Sequence, residues 1–474
     1  MTRTQKILAS MCLLLTLVST RRAQASAAES ESVLTLPHVL AVVERSFPLL
    51  RAAELDQAVA EAELVSAEGG FDTSWKTKST WLPAGYYNSA RVESVVEMPT
   101  AIWGATPFVG WRYGRGEFPS YDAKSQTLEY GEVRAGVDIP LLRNGQTDRR
   151  RAALGRSLIA RELSTLNLQA QRVEIVRLAS LRYWTWVAAG QRLSIARELL
   201  RLANDRDSAL AERIEQGDLP AFERLDNARA IEQRKAQLAV AQRGVEQAAI
   251  DLSLMLRNEA GQPIVPAQQR LPDALPEPQT QSQPLTDQLA LAKENRVEPK
   301  RFALQADSQE IERAFAKNQL LPGLDLQIAG STDMGRAMSS RPDLSQPVLE
   351  LSLFVDVPLQ ARVMRGRVRA AEAQANRSRL QLDYAHDTIA SEVQDAFSAL
   401  RVSYERIEAA RNEVAAARQL EEGERIRFEH GDSQLLIVNL REQQTAEARL
   451  REVEALLDHQ RAHVMLKAAR GELR

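Results

Sequence analysis

The residues that could carry chemistry are few and poorly arranged for it. His459 and His463 stand four apart in a helix-forming stretch, a spacing that puts two imidazoles on one helical face and can hold a metal. No glutamate lies between them as a zinc hydrolase requires, and two neutral histidines on a solvated helix account for the pair without a metal. The single cysteine, Cys12, lies in an apolar leader, behind Met11 and ahead of further apolar residues, a poor context for lipid attachment. Past the leader there is no thiol, which excludes disulfides, thiolate catalysis and cysteine-ligated zinc. No Gly-rich loop follows a strand to cradle a phosphate, and no Ser–His–Asp or Cys–His set is suggested. Carboxylates are abundant, but they are spread along helices as solvating groups and i,i+4 partners. A formal net charge of −2 offers no basic face for nucleic acid. The expectation is a protein that is not an enzyme and uses no cofactor or metal.

The elements that carry these residues begin with a targeting segment over residues 1–25. Arg3 and Lys6 give it a positive start, Ile7 to Val18 is mostly apolar, and Ala23-Gln24-Ala25 is a small-x-small cleavage site. Arg21 and Arg22 between the apolar run and that site are unusual. The run of about 12 apolar residues is too short to span a bilayer, which needs roughly 20. No other segment is apolar enough for a membrane helix, so a chain that crosses a membrane must do so with β-strands closed into a barrel.

The remaining chain is written twice. Residues 137–153 read VDIPLLRNGQTDRRRAA and residues 355–371 read VDVPLQARVMRGRVRAA, at a constant offset of 218. Further on, Glu215-Gln216-Gly217-Asp218 is answered by Glu429-His430-Gly431-Asp432 at an offset of 214, four residues less. Four residues is about one helical turn, which a long helix absorbs with little rotation of its faces. Leu36–Leu64 likewise corresponds to Leu285–Phe315, each a helical pattern broken once, by Pro48 or Pro299. The domain boundaries follow: a first repeat over 26–262, a Pro-rich connector over 263–284, and a second repeat over 285–474.

Each repeat has one plan: a helix, a β-rich segment (about 71–140, then about 323–358), and two long helices (about 147–257, then about 362–470) separated by the Gly-Asp turn. Val393, Phe397, Leu400, Tyr404, Ile407 and Val414 recur in steps of four and three, the coiled-coil period, and Tyr183, Trp186 and Leu193 occupy matching places in the first copy. Helices of about 60 residues reach roughly 90 Å and exist to cover distance. Phe71–Trp81, Glu132–Ile139 and Leu349–Val357 alternate polar with apolar or aromatic residues, as a wall between lipid and water requires. Trp75, Trp81, Trp103, Trp111 and a group of tyrosines bunch in the same region and suit an interfacial girdle. Pro83–Arg91 and Gly114–Lys124 read as loops beyond the barrel. A few strands cannot close a barrel alone, so this reading requires an oligomer.

The order and duplication of these marks resemble the outer-membrane efflux protein family, the TolC-like channels. They include Leu34-Thr35-Leu36 before a helix with Pro48, the passages Ile139-Pro140-Leu141-Leu142-Arg143-Asn144-Gly145 and Val357-Pro358-Leu359, and the two glycine-centred helix turns. The resemblance implies a mainly α fold with a membrane β-barrel: duplicated helical hairpins forming a trimeric α-helical tunnel, with four strands per protomer in a shared twelve-stranded barrel. The surplus in 84–130 is then expected to form an elaborated external hairpin. It further implies an exit duct in the outer membrane, serving a tripartite efflux pump or a type I secretion system. The partners would be two more copies of the chain, outer-membrane lipid, a periplasmic membrane-fusion adaptor and an inner-membrane transporter, with no nucleic acid. The turns Gln216-Gly217-Asp218 and His430-Gly431-Asp432 would meet the adaptor, with each Asp capping the helix that follows. Glu223 and Asp226, six and nine residues past Gly217, would ring the tunnel's narrow end, while Ile437 and Leu440 stand at those places in the second copy. The alternative is a soluble periplasmic coiled-coil adaptor or scaffold.

Overall fold

The computed structural model describes residues 32–118, 126–217, 219–279, 283–336, 344 and 346–473. The expected leader and its cleavage site lie outside them. In chain order the elements are α1 (Leu36–Ser46), α2 (Pro48–Glu68), β1 (Ser74–Leu82), β2 (Ser89–Glu97), β3 (Thr106–Gly116), β4 (Glu132–Pro140), α3 (Arg149–Glu215), α4 (Ala221–Ser253), α5 (Leu285–Asn295), α6 (Glu298–Asn318), β5 (Gly323–Asp333), β6 (Val348–Asp356), α7 (Arg362–Glu429) and α8 (Leu435–Ala469). They divide between two compact units. One comprises Met1–Ala52, Gln169–Val297 and His386–Arg474, and the other Ala53–Leu168 and Glu298–Ala385.

The first unit is helical. A proline splits each leading helix pair: Phe47 is extended (φ −73°, ψ 123°) ahead of Pro48, as a residue before proline must be, and Pro299 stands second in α6. α3 and α7 have 67 and 68 residues, about 100 Å of helix each at 1.5 Å per residue. The buried seam of α7 runs Val393, Ala396, Leu400, Ser403, Ile407, Ala410 and Val414, in steps of three and four. The expected stripe is therefore corrected at two places. Phe397 and Tyr404 are only half-buried at its margin, and Ala396 and Ser403 hold the seam itself. Small residues there let the helices approach closely, and Val393, Ala396 and Leu400 pack against Ala462, Leu466 and Ala469 of α8 and Ala292 of α5. In α3, Tyr183, Trp186 and Leu193 are buried as the period requires. The Tyr183 hydroxyl donates to the Leu34 carbonyl at 2.9 Å, and burial pushes its pKa up to about 12.

A buried ionic cluster ties α3, α4 and α8 together. Glu442 accepts from Arg234 at 2.7 Å and from Arg206, and Arg206 also donates to Asn439 at 2.7 Å. Arg234 uses a second nitrogen to reach the Leu199 carbonyl at 2.8 Å. Arg234 and Glu442 are each only 4% exposed, so the charges survive by mutual satisfaction.

The second unit is built on an antiparallel sheet with the strands in sequence order, β1 to β6. Six strands form where four were expected. By position after its leading helix β1 matches β5, and by position before its long helix β4 matches β6. The first repeat thus holds one additional hairpin, β2–β3, between them. That hairpin is not an external appendage: β2 pairs with β1 along all nine residues, from Ser74↔Glu97 to Leu82↔Ser89, and β3 pairs with both β2 and β4.

The passage from β4 to α3 explains its own sequence. Asn144 takes a left-handed conformation (φ 67°), which asparagine tolerates. Its N–H donates to the Asn318 side chain at 2.7 Å, and its carbonyl accepts from Arg151 at 2.6 Å. Asp148 then accepts from the Arg151 N–H at 2.8 Å and so caps α3.

Glu442→Ala leaves two guanidiniums facing a protein interior and should cost about 3–5 kcal/mol. Glu413→Ala, which breaks an exposed pair with Arg451, should leave stability unchanged within error. Thermal loss of the helical circular-dichroism signal in detergent separates the two.

Candidate functional site

Two regions carry the residues of interest, one in each unit. The first is the pair of helix turns. After α3 the chain passes Gln216 and Gly217 (φ +81°) and enters α4 from Pro220; after α7 it passes His430 and Gly431 (φ +84°) and enters α8 from Gln434. A Cβ on either glycine would meet nothing within 4 Å, so the residue type is demanded by the backbone angle and not by crowding. The second turn is a Schellman motif: the Gly431 N–H bonds the Phe428 carbonyl at 3.1 Å and the Asp432 N–H bonds the Arg427 carbonyl at 2.8 Å. This corrects the role expected of Asp432. It closes α7 through its backbone, and Gln434, with no side-chain cap bond, precedes α8. Asp218 lies outside the described residues. The His430 ring nitrogen Nδ1 sits 2.7 Å from the Ile426 carbonyl, so this imidazole also completes the helix end.

The turns are held against each other by Leu210, Phe428, Leu435 and Val438, with the Arg213 guanidinium 5.7 Å over the Phe428 ring. Glu223 and Asp226 are half-buried in the first turns of α4. Burial, and then the charge of Asp226, raises the Glu223 pKa above the ordinary glutamate value. Asp226 has Arg229 at 3.6 Å. In the second copy Leu440 is exposed and Ile437 partly so, and Phe222 and Leu225 are exposed on α4. Sequence reasoning missed this apolar surface around both turns; its only signal was large apolar residues within ten positions of each glycine.

The histidine pair lies on α8. His459 is buried, not solvated as expected, and its Nδ1 lies 3.0 Å from the Ser403 hydroxyl. Burial holds the His463 pKa down at about 4, helped by Lys467. No cluster of three or more His, Cys, Asp or Glu suited to a metal occurs among the described residues.

The second region is the sheet, whose two faces differ in kind. On one, Leu349, Leu351, Leu353 and Val355 of β6 form an exposed row, with Leu351 at 66%. Register places Leu324, Leu326 and Ile328 of β5 beside them, and Val133, Val137 and Ile139 of β4 beyond. Trp75 and Trp81 stand on the same face, and Trp111 stacks on Tyr113 with ring centroids 5.9 Å apart. On the other face charges are paired across strands. Lys76 meets Glu97 at 2.5 Å, Arg112 meets Glu132, and Arg134 reaches Glu93 at 3.6 Å and Glu350 at 3.9 Å. Gln327 donates to Asp138 at 2.7 Å. An apolar face with a single charge near one strand end, backed by an ion-paired one, is what a strand wall between lipid and water requires.

Residues 281–472 match the family model described as outer membrane efflux protein. The chain is similar to the outer membrane efflux proteins. Solved structures extend the likeness over nearly its whole length. The outer-membrane channel OprN superposes with a TM-score of 0.66 at 15% identity, covering 92% of this chain and 90% of that one. The Campylobacter jejuni CmeC outer membrane channel gives 0.65 at 12% identity, covering 92% and 85%. The open state of the Neisseria gonorrhoeae MtrE outer membrane channel gives 0.65 at 16%, covering 93% and 89%. At such identities the likeness is one of fold. No curated protein matches the sequence.

Because the left-handed angle at Gly431 excludes a β-branched side chain, Gly431→Val should strain the turn by about 1–3 kcal/mol. Gly431→Asn, which tolerates that angle, should cost distinctly less. Amide exchange across residues 426–438 reads the difference, and equal protection in both variants would show that the turn does not depend on the glycine.

Proposed function

We propose that the chain is a passive exit duct of the outer membrane, assembled from three copies, through which substrates leave a tripartite efflux pump or a type I secretion system. The observation that carries this reading is the sheet: an exposed apolar row on one face and cross-strand ion pairs on the other. A soluble adaptor has no use for such a row, whose exposure to water costs roughly 25 cal/mol per Å² of apolar surface. The two open edges of the sheet call for further copies, and three is the number the family resemblance implies. The chain supplies no reacting group and no energy source of its own, so opening and direction come from its partners.

In this reading the glycine turns and the apolar residues beside them, Phe222, Leu225 and Leu440, meet a periplasmic membrane-fusion adaptor bound to an inner-membrane transporter. Glu223 and Asp226 are repeated three times around the duct axis and select for cations. The second copy, with Ile437 and Leu440 at the corresponding places, contributes no charge to that ring.

Glu223→Gln with Asp226→Asn should lower the cation preference of the purified channel in planar bilayers several-fold. In the unaltered channel that preference should fall on acidification at a pH above the ordinary glutamate range, because Glu223 takes up its proton early. Identical selectivity in both proteins, or recovery of the chain as a soluble periplasmic monomer, would contradict the proposal.

A further inference from the structure

Granting the outer-membrane reading above, on which this step depends, we infer that the hairpin β2–β3 belongs to the membrane wall itself. Each chain then supplies six strands, and its β1 edge pairs with the β6 edge of a second copy of the same chain.

Charge segregation holds across all six strands and not merely four. On β1 the lipid-side positions are Trp75, Thr77, Ser79 and Trp81, and their partners on β2 are Val96, Ser94, Val92 and Ala90. The charged residues of these two strands all fall on the opposite face. Over the whole sheet the apolar face bears one charge, Arg115, at the penultimate position of β3, where a long side chain can reach water. A hairpin standing in solvent has no reason to keep one face free of charge in register with a lipid-facing wall.

The stagger agrees. One row of paired residues crosses the sheet: Trp75, Val96, Val109, Ala135, Gly330 and Leu349. It enters both β1 and β6 at their second residue, and those strands run in opposite directions, so it lies near opposite ends of the two. The strands have slipped by six residues over five pairings. That is about 20 Å of slip over about 24 Å of width, a tilt of roughly 40°. Membrane barrels incline their strands by about 35–45°.

The free edges suit each other. An even number of strands leaves β1 and β6 antiparallel, so copies join without breaking the alternation. On the water-facing side β1 offers Lys76 and Lys78, and β6 offers Glu350 and Asp356, opposite charges brought to one seam. Three such chains make a wall of eighteen strands. Barrel diameter grows about linearly with strand number, so this lumen is about half again as wide as one of twelve strands.

Single cysteines test the wall, because replacing Cys12 leaves no other thiol. In outer-membrane vesicles carrying assembled oligomers, a membrane-impermeant maleimide should label Lys76→Cys, Lys78→Cys and Glu93→Cys. It should label Thr77→Cys, Ser79→Cys and Ser94→Cys at least tenfold more slowly, as Leu351→Cys does beside Ser352→Cys. Uniform labelling in β1 and β2, with alternation kept in β6, overturns the inference and leaves the outer-membrane reading standing. Loss of alternation in β6 overturns both. Lys78→Cys combined in turn with cysteine at Glu350, Ser352 or Phe354 should oxidise to covalent multimers in at least one pairing. Monomers in all three would show that no second copy lies against β1.

Discussion

Hydrocarbon offers no partner for a backbone amide, and in the proposed reading the β-rich half of this protein answers to that fact. A six-stranded sheet has two edges, and among the described residues β1 and β6 each bond to one neighbour only. In water such edges are an aggregation hazard; in lipid each unsatisfied group costs several kcal/mol. The proposed wall meets the constraint with more copies of the same edges. The meander satisfies every inner strand locally, and the even strand count lets the last edge of one chain complement the first edge of the next. The additional hairpin respects the same rule, since inserting two strands preserves direction where inserting one would reverse it.

The helical half solves a different problem. Helices of this length cannot be stabilised by propensity alone, and their seams do the joining. Alternation of large with small residues along α7, Val393 with Ala396 and Leu400 with Ser403, sets a close approach to α8. Glu442 between Arg206 and Arg234 adds positional specificity more than energy, because three polar groups in a dry place fit only one arrangement. Placed near the turns on α3, α4 and α8, that cluster fixes α4, which carries Glu223 and Asp226.

Much of this was legible in the sequence, and the failures have physical causes. The duplicated Val-Asp-x-Pro-Leu passages, the helix-splitting prolines and the two turn glycines each impose a backbone constraint that no tertiary contact overrides, so their structural meaning survives folding. The hairpin β2–β3 is expected outside the barrel because β3 holds Pro107, Gly110, Gly114 and Gly116, a composition that reads as loop and not as wall. Those residues are tolerated since Gly110 lies close against Ser94 and Val95 on the neighbouring strand, an approach a side chain would crowd. Phe397 and Tyr404 outweigh Ala396 and Ser403 on any hydrophobicity scale, yet the seam is set by what lets the backbones approach. Asp432 looks like a cap by type, but the Schellman bonds left its side chain no such task. His459 reads as solvated because its neighbours in sequence are polar, and only packing against α7 shows it buried.

Amide hydrogen exchange on the protein reconstituted in lipid bilayers tests the closure of the wall most directly. In a closed wall the amides of β1 and β6 exchange as slowly as those of β4, which is flanked by strands of its own chain. Rapid exchange confined to β1 and β6, with β2 to β5 protected, would contradict it.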